Sequence, residues 1–293
     1  MFTGLSAFPL TPLTDERVDE KAFAGLVERL GAAGVDSITA LGSTGSYPYL
    51  SREERAQVAG LAVRHAGPVP VMIGIGALRT RHVLELAEDA QRAGASALLL
   101  APVSYQALTE DDVFGLFETV TAHVSVPLVV YDNPGTTHFT FSEELYARVA
   151  RLPHVASVKI PGMPATPEQA AERVTRIRAL LPAAVTVGIS GDAHAATGLN
   201  AGCQVWYSVL GGTLPVLALA ITRAGSAQAA TDASNRLQPL WDLFARHGGL
   251  RVVSALAELL GLVGHPNLPL PIRGLGTDDR AEVARVADEL ELR

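Results

Sequence analysis

Val155-Ala156-Ser157-Val158-Lys159-Ile160-Pro161 is a short apolar run that contains one lysine and ends at a proline. Its length and its valine and isoleucine content predict a buried strand. Burying a charged ammonium is costly, so burial should lower the pKa of Lys159 from its ordinary value of about 10.4. An amine that is neutral near pH 7 is a nucleophile that can condense with a carbonyl. The stretch therefore predicts one strand of a buried sheet and a Schiff-base site at Lys159.

Lysine is rare in this chain, and arginine supplies almost all of its positive charge. Only Lys21 and Lys159 are lysines among the 23 Lys and Arg residues. A lysine at the end of a strand can also extend its ammonium to solvent or pair with one of the 30 acidic residues. Because lysine can lose its proton and arginine cannot, its placement in an apolar strand favours the nucleophile.

The composition excludes several classes of protein. Hydrophobic residues make up 48% and charged residues 18% of the 293 residues, which favours an α/β protein with a large core. The net charge of −7 offers no basic surface to nucleic acid or to an anionic membrane. One cysteine, Cys203, allows no internal disulfide, and the histidines lack the spacing of a zinc motif, so no metal is expected. Without a leader or a long apolar run, a cytoplasmic location is expected.

Short apolar runs alternate with amphipathic segments along the chain, as in repeated βα units. A first strand over 5–10 and a helix over 19–33 are expected. Helices are expected to end directly before a strand at Gly34, Gly94 and Gly202, where glycine suits a left-handed cap. Strands should begin near residues 5, 36, 69, 96, 127, 155, 184 and 204. Eight units spaced by about 30 residues predict a (β/α)8 TIM barrel over 1–225, followed by a C-terminal helical extension over 226–293.

The active site of such a barrel lies at the carboxyl ends of its strands. Gly42-Ser43-Thr44-Gly45 follows the second strand, and its hydroxyls and glycines suit a close approach to a carboxylate, although the segment can also be a simple turn before the helix capped by Ser51. Tyr131 ends the fifth strand, where a phenol can move protons or merely close the barrel mouth. Asp192 is expected to cap the helix that begins near Ala193.

Four motifs, in this order and spacing, resemble the dihydrodipicolinate synthase/N-acetylneuraminate lyase family of class I aldolases. They are Gly42-Ser43-Thr44-Gly45, Tyr131-Asp132-Asn133-Pro134, Lys159 and Ser190-Gly191-Asp192. The resemblance implies a TIM barrel with a C-terminal helical segment, assembled as a homotetramer or dimer. It also implies covalent binding of pyruvate or another 2-oxo acid, followed by reaction with an aldehyde, without metal or organic cofactor.

The same resemblance implies roles for individual residues. Lys159 would form the imine, and Tyr131 would relay protons to and from it with help from Ser43. A tyrosine lent by a neighbouring subunit would complete the relay, and Tyr105 or Ser104 stands at its position. The residues implied for binding the substrates are Thr44, Gly45, Thr136, Asp192 and Tyr207.

Departures from the family pattern bear on the second substrate. Dihydrodipicolinate synthases, which this chain resembles at Tyr131, carry an arginine at the position of Thr136. Sialate lyases carry a glutamate at the position of Ala193. The expected lining of this part of the pocket is therefore weakly cationic: Tyr47, Thr136, Thr137, His138 and Asp192. We expect an aldolase or dehydratase for a 2-keto-3-deoxy sugar acid, with 4-hydroxy-tetrahydrodipicolinate synthase as the alternative.

Two further classes remain open. A protein that binds a 2-oxo acid without catalysis could keep the same scaffold. A barrel that binds sugar phosphates is suggested by Gly211-Gly212, although no cationic residue lies between Asp192 and Gly212 to neutralise a phosphate.

Overall fold

Eight parallel strands close into a barrel in the computed structural model of this protein, which describes residues 2–164 and 166–292. Neighbouring barrel strands follow one another along the chain, and the last pairs with the first. A short antiparallel pair, β2 with β3, lies outside the barrel. The strands are β1 (Gly4–Ala7), β2 (Leu13–Thr14), β3 (Arg17–Val18), β4 (Ser37–Ala40), β5 (Val71–Gly74), β6 (Ala97–Leu100), β7 (Leu128–Tyr131), β8 (Val155–Ile160), β9 (Thr186–Ser190) and β10 (Val205–Ser208). The predicted (β/α)8 barrel is confirmed.

Helices separate the barrel strands and continue beyond the last one. They are α1 (Glu20–Ala33), α2 (Arg52–His65), α3 (Thr80–Arg92), α4 (Glu110–Thr121), α5 (Pro134–Thr137), α6 (Glu143–Val149), α7 (Pro167–Leu180), α8 (Ala195–Asn200), α9 (Pro215–Thr222), α10 (Ala227–Arg236), α11 (Gln238–His247), α12 (Gly249–Leu259) and α13 (Thr277–Glu289). No helix in the described ranges is both long enough and apolar enough to cross a membrane.

Local sequence signals explain where several helices begin and end. The Asp19 side chain accepts a hydrogen bond from the Ala22 N–H at the start of α1, as an N-cap does. Ser51 and Glu54 form a capping box at the start of α2. The three glycines expected to reverse the chain, Gly34, Gly94 and Gly202, have φ values of 70°, 93° and 102°. A side chain would be strained at these angles.

The start of the chain differs from its predicted form. β1 ends at Ala7 rather than at residue 10, and Pro9 and Pro12 follow it without an N–H to continue the ladder. The β2–β3 hairpin was not predicted. Its two-residue loop, Asp15 and Glu16, has φ values of 51° and 58°, the left-handed pair that a tight hairpin requires. Glycine usually signals this turn in a sequence, and neither residue is glycine.

The C-terminal helices pack on the barrel and on one another. α10 contacts α8 and α9, and α12 packs between α11 and α13. α9 ends at Thr222 and α10 begins at Ala227, on either side of the predicted division between barrel and extension. That division into two units stays a prediction. The extension matters for function because residues of α12 and of the segment after it reach the barrel mouth.

The barrel interior is filled by side chains that point inward from alternate positions. One cluster lies inside the barrel: Phe8, Met72, Ala97, Leu99, Ala101, Val129, Tyr131, Val205 and Tyr207. A larger apolar layer separates the strands from the helices. At Gly188 a Cβ atom would lie 2.4 Å from both a Tyr207 ring carbon and Val205 Cγ1. Glycine in β9 thus provides the space for the Tyr207 ring.

Gly188→Ala is expected to destabilise the protein by about 1–3 kcal/mol, because the added methyl overpacks the barrel interior. Urea unfolding at neutral pH measures this change. Gly60→Ala, in α2 where nothing lies within 4 Å of the added methyl, is the matched control and should leave stability unchanged or slightly higher. Equal stability of the two variants would contradict the packing argument.

Candidate active site

Strand register places the two central residues side by side. Tyr131 pairs with Lys159 across β7 and β8, and Lys159 pairs with Gly188 across β8 and β9. All three lie at or close to the carboxyl ends of their strands, where barrel enzymes carry their active sites. One layer deeper, the Tyr207 hydroxyl donates to Ser157 Oγ at 2.8 Å. This hydrogen bond holds the Tyr207 ring close to the amine, with the ring centroid 5.6 Å from Lys159 Nζ.

Lys159 is buried among aromatic rings, with 4% of its surface exposed. Its Nζ lies 3.9 Å from the Tyr131 ring centroid, 4.1 Å from that of Phe8 and 5.6 Å from that of Tyr207. Desolvation lowers the pKa of Lys159 from its ordinary 10.5 to about 7, against the opposing charge of Asp192. A large fraction of this amine is therefore neutral and nucleophilic at neutral pH.

The Tyr131 hydroxyl lies at the centre of a small polar cluster. Its Oη is 3.2 Å from Ser43 Oγ and accepts a hydrogen bond from Asn133 Nδ2 at 2.9 Å. Asn133 Nδ2 also lies 3.4 Å from Ser43 Oγ. Burial raises the pKa of Tyr131 to about 12, although the hydrogen bond with Ser43 opposes this rise. The phenol therefore keeps its proton at neutral pH and can lend it to a neighbouring atom.

A strained turn carries Ser43 and Thr44 into the site. Leu41, the residue after β4, has a φ of 58°, an angle that costs a branched residue on the order of 1–3 kcal/mol. Thr44 is buried and lines the pocket. Gly45 does not line it. A Cβ atom at Gly45 would lie 3.0 Å from Leu41 N and 3.2 Å from Thr11 Oγ1, so glycine is needed here for close backbone packing. Its contact with a substrate stays a prediction.

Asp192 has a different role from the expected one. It makes no side-chain cap to the short turn or helix that follows it. Its carboxylate accepts hydrogen bonds from Trp206 Nε1 at 3.0 Å and from the N–H groups of Val209 at 3.2 Å and Leu210 at 2.6 Å. Burial nevertheless raises its pKa to about 6. The helix-cap interpretation is wrong because donors of β10 and of the residues directly after it take the carboxylate, and Asp192 does not line the pocket around Lys159 as expected.

The pocket above Lys159 has a volume of about 690 Å³. Its lining contains most of the predicted residues and several others: Ser43, Thr44, Tyr47, Pro48, Tyr49, Val103, Tyr131, Asn133, Thr136, Thr137, Lys159, Pro161, Gly162, Ser190, Gly191, His194, Tyr207, Val209, Gly249, Leu250 and Ile272. Among these residues Lys159 is the single Lys or Arg. His138 is exposed on the turn after α5 and lies outside the lining, which corrects its expected place.

Tyr105 lies on the loop after β6, with 90% of its surface exposed, and does not line the pocket of its own chain. A contribution to the proton relay would require the site of another subunit. That role stays a prediction.

Sequence reasoning missed several pocket residues. Asn133 stands two positions after Tyr131, and the period-two alternation of a strand offers a signal that both point the same way. His194 follows Asp192 by two positions, and burial lowers its pKa. Gly249, Leu250 and Ile272 come from the extension, which no local pattern places over the barrel mouth.

One cluster in the described ranges has groups that suit a metal ion, with His247, Asp279 and Glu282 ligand atoms within 4.8 Å of one another. Both Glu282 oxygens already accept from Arg246 Nη1, at 2.9 and 2.7 Å. None of these residues lines the pocket described above.

A closed (β/α)8 barrel with a buried, nucleophilic lysine beside a tyrosine at the carboxyl ends of its strands defines a lyase of the class I aldolase type. The family model described as the Dihydrodipicolinate synthetase family matches residues 1–290. The chain therefore belongs to this family, as the resemblance indicated.

Individual relatives agree with this membership. A crystal structure of dihydrodipicolinate synthase from Agrobacterium tumefaciens has a TM-score of 0.94 and 44% identity, over 99% of this chain and 98% of that one. A 4-hydroxy-tetrahydrodipicolinate synthase of Parvibaculum lavamentivorans is 32% identical over 93% of this chain and 92% of its own length. Another, from Hyphomonas neptunium, is 38% identical over 54% of this chain, and the chain spans 55% of its length.

Lys159→Met is expected to change how stability depends on pH. Between about pH 7 and 10.5 the unfolded chain keeps the Lys159 proton and the folded chain has lost it, so the wild-type free energy of unfolding gains a rising slope in this window. The variant should lack this contribution and be more stable near pH 7, by a margin that shrinks towards pH 10.5. Urea unfolding at several pH values measures the difference.

Lys21→Met is the matched control, since Lys21 is exposed on α1. The Lys21→Met variant should keep the wild-type dependence of the free energy of unfolding on pH. Parallel stability curves for Lys159→Met and wild type would contradict the lowered pKa.

Proposed function

We propose that this protein forms a Schiff base between Lys159 and pyruvate, or a related 2-oxo acid, and then makes or breaks a bond to an aldehyde. The observation that carries the proposal is the buried Lys159 amine, whose pKa is about 7 and whose Nζ lies 3.9 Å from the Tyr131 ring centroid. Relatives support it. A chloride-inhibited dihydrodipicolinate synthase from Acinetobacter baumannii, 26% identical with a TM-score of 0.90 over both whole chains, was solved as a complex with pyruvate.

The chemistry begins when the neutral Lys159 nitrogen attacks the C2 carbonyl of the 2-oxo acid. The nitrogen gives up a proton, the carbonyl oxygen takes one, and the carbinolamine then loses its hydroxyl as water to leave an imine. Tyr131 is placed to accept and return these protons, with Ser43 Oγ 3.2 Å from its Oη. Loss of a C3 proton from the protonated imine gives an enamine, and its carbon attacks the aldehyde in the synthetic direction.

The carboxylate of the 2-oxo acid needs hydrogen-bond donors close to the amine. Thr44 is buried and lines the pocket on the turn after β4, so its hydroxyl and the surrounding backbone N–H groups suit this role. Tyr207 is tied to Ser157 and forms the floor below the amine. These assignments together place the reacting carbon above Lys159 and beside Tyr131.

The first candidate for the whole reaction is the condensation of pyruvate with aspartate semialdehyde, as catalysed by 4-hydroxy-tetrahydrodipicolinate synthase. The names of the curated relatives favour it. The second candidate is an aldolase or dehydratase for a 2-keto-3-deoxy sugar acid. It is favoured by a specific observation: the outer lining offers hydroxyls, Thr136 and Thr137, and a histidine, His194, but no arginine to bind the carboxylate of aspartate semialdehyde.

Borohydride treatment in the presence of pyruvate is expected to reduce the imine and leave a stable adduct on Lys159. Peptide mapping by mass spectrometry locates it. Lys159→Ala should abolish the adduct, and Lys21, the other lysine of the chain, should stay unmodified and serves as the internal control. An adduct at neither lysine would refute the Schiff-base chemistry.

A side-by-side assay decides between the two candidates. Purified protein is given pyruvate with aspartate semialdehyde, and separately a 2-keto-3-deoxy sugar acid, and kcat/KM is compared. Faster turnover of aspartate semialdehyde establishes the synthase and rejects the sugar-acid candidate, and the reverse result does the opposite. In either reaction Tyr131→Phe should lower kcat by about 100-fold or more, the usual contribution of general acid–base catalysis.

A further inference from the structure

Asn133 makes a contact that none of the assignments above uses. Its side-chain amide donates to Tyr131 Oη at 2.9 Å and lies 3.4 Å from Ser43 Oγ. The phenol oxygen therefore has two polar neighbours, and both belong to the same chain. Tyr105, for which the family resemblance implies a place in the relay, is 90% exposed and does not line this pocket.

The side-chain amide of Asn133 takes no part in the hydrogen bonds of the turn that begins at this residue. The backbone carbonyl of Asn133 holds that turn, accepting from the N–H groups of Thr136 and Thr137, both at 3.0 Å. The hydroxyls of the same two threonines also approach this carbonyl, at 3.3 and 3.1 Å. The Asn133 side chain makes no cap to α5. A change of this side chain therefore leaves the hydrogen bonds of the turn in place.

The Asn133 N–H that donates to the phenol oxygen affects Tyr131 in both of its protonation states. While the phenol is neutral, the amide occupies one lone pair of Oη and turns the phenol proton towards Ser43 or the pocket. When the phenol has given up its proton, the same N–H donates to a phenolate, and a hydrogen bond to a charged atom is about twice as strong as a neutral one in a water-poor site. Asn133 thus stabilises the phenolate that forms during proton transfer more than it stabilises the neutral phenol.

We propose that Asn133 is a positioning residue that orients the Tyr131 phenol for its proton relay with Ser43. It acts through Tyr131 and does not itself exchange a proton. This inference rests on the proposed Schiff-base function but does not depend on which aldehyde the enzyme uses. It assigns the hydrogen bond that the phenol oxygen accepts to a residue of the same chain.

The test measures exchange of the pyruvate methyl protons for deuterium in D2O by proton NMR, which reports enamine formation without any aldehyde. Asn133→Leu keeps the number of side-chain heavy atoms and their branching, and removes the hydrogen bonds. We expect kcat for exchange to fall about 10- to 100-fold, the range for losing one hydrogen bond to a charged group. KM for pyruvate should change less than about twofold, because the carboxylate site at Thr44 is intact.

A double-mutant cycle separates positioning from a general structural defect. If Asn133 acts through Tyr131, Asn133→Leu should have no further effect on exchange in a Tyr131→Phe background. An equal loss in both backgrounds would overturn the proposal, as would wild-type exchange by Asn133→Leu alone.

Asn133→Asp provides a second variant with nearly the same shape. Its carboxylate accepts from the phenol instead of donating to it, and its charge favours the protonated form of Lys159. The acid limb of the exchange rate should therefore move to higher pH if the side chain at this position faces the relay beside Lys159, as the proposal requires. An unshifted acid limb would count against the proposal. Asn235→Asp, at an exposed position of α10, is the matched control for the added charge.

Failure of the Schiff-base function and failure of the proposed role of Asn133 give different results. If wild-type protein neither exchanges the methyl protons nor forms a borohydride-stable adduct at Lys159, the Schiff-base function fails and the role of Asn133 fails with it. If wild type does both and the cycle shows no coupling between Asn133 and Tyr131, the role of Asn133 alone is rejected.

Discussion

Desolvation of the Lys159 ammonium is the constraint on which the rest of the site depends. The barrel interior surrounds the amine with the rings of Phe8, Tyr131 and Tyr207, and removes most of the water that would stabilise its charge. Aromatic faces attract a cation, but burial outweighs that attraction and brings the pKa to about 7. The protein thus holds a reactive amine at some cost in stability, which is common where catalysis needs a group out of its ordinary protonation state.

Several features outside the pocket maintain that constraint. Gly188 leaves space for the Tyr207 ring, and Ser157 accepts a hydrogen bond from its hydroxyl, so the ring is held close to the amine. Asp192 remains close enough to oppose the fall in the Lys159 pKa, but its carboxylate is held by three donors from the end of β10 and the residues after it. A carboxylate free to move could pair with the amine and keep it charged. Its fixed hydrogen bonds leave the amine available for a carbonyl.

The pocket above the amine has a polar inner part and an outer part of different character. Near Lys159 the groups are those that proton transfer during imine formation can use: a phenol, a hydroxyl and an amide, in contact with one another at Tyr131, Ser43 and Asn133. Further out, the lining is largely apolar with a few hydroxyls, and the extension contributes Leu250 and Ile272. The reaction class therefore follows from the inner groups, and the choice of aldehyde depends on the outer ones.

The sequence by itself determined the order of the barrel strands, the barrel, and the buried place of Lys159, because each follows from local patterns: apolar runs, glycine caps, and one lysine among buried residues. The tertiary structure decided which polar groups meet. Asp192 was expected to cap a helix and instead binds donors near β10, Gly45 packs against Leu41, and Asn133 reaches the Tyr131 phenol. Each of these depends on contacts between strands or turns far apart in the chain or on the direction of one side chain. Local periodicity describes neither, since it records spacing along the chain and not distance across the barrel.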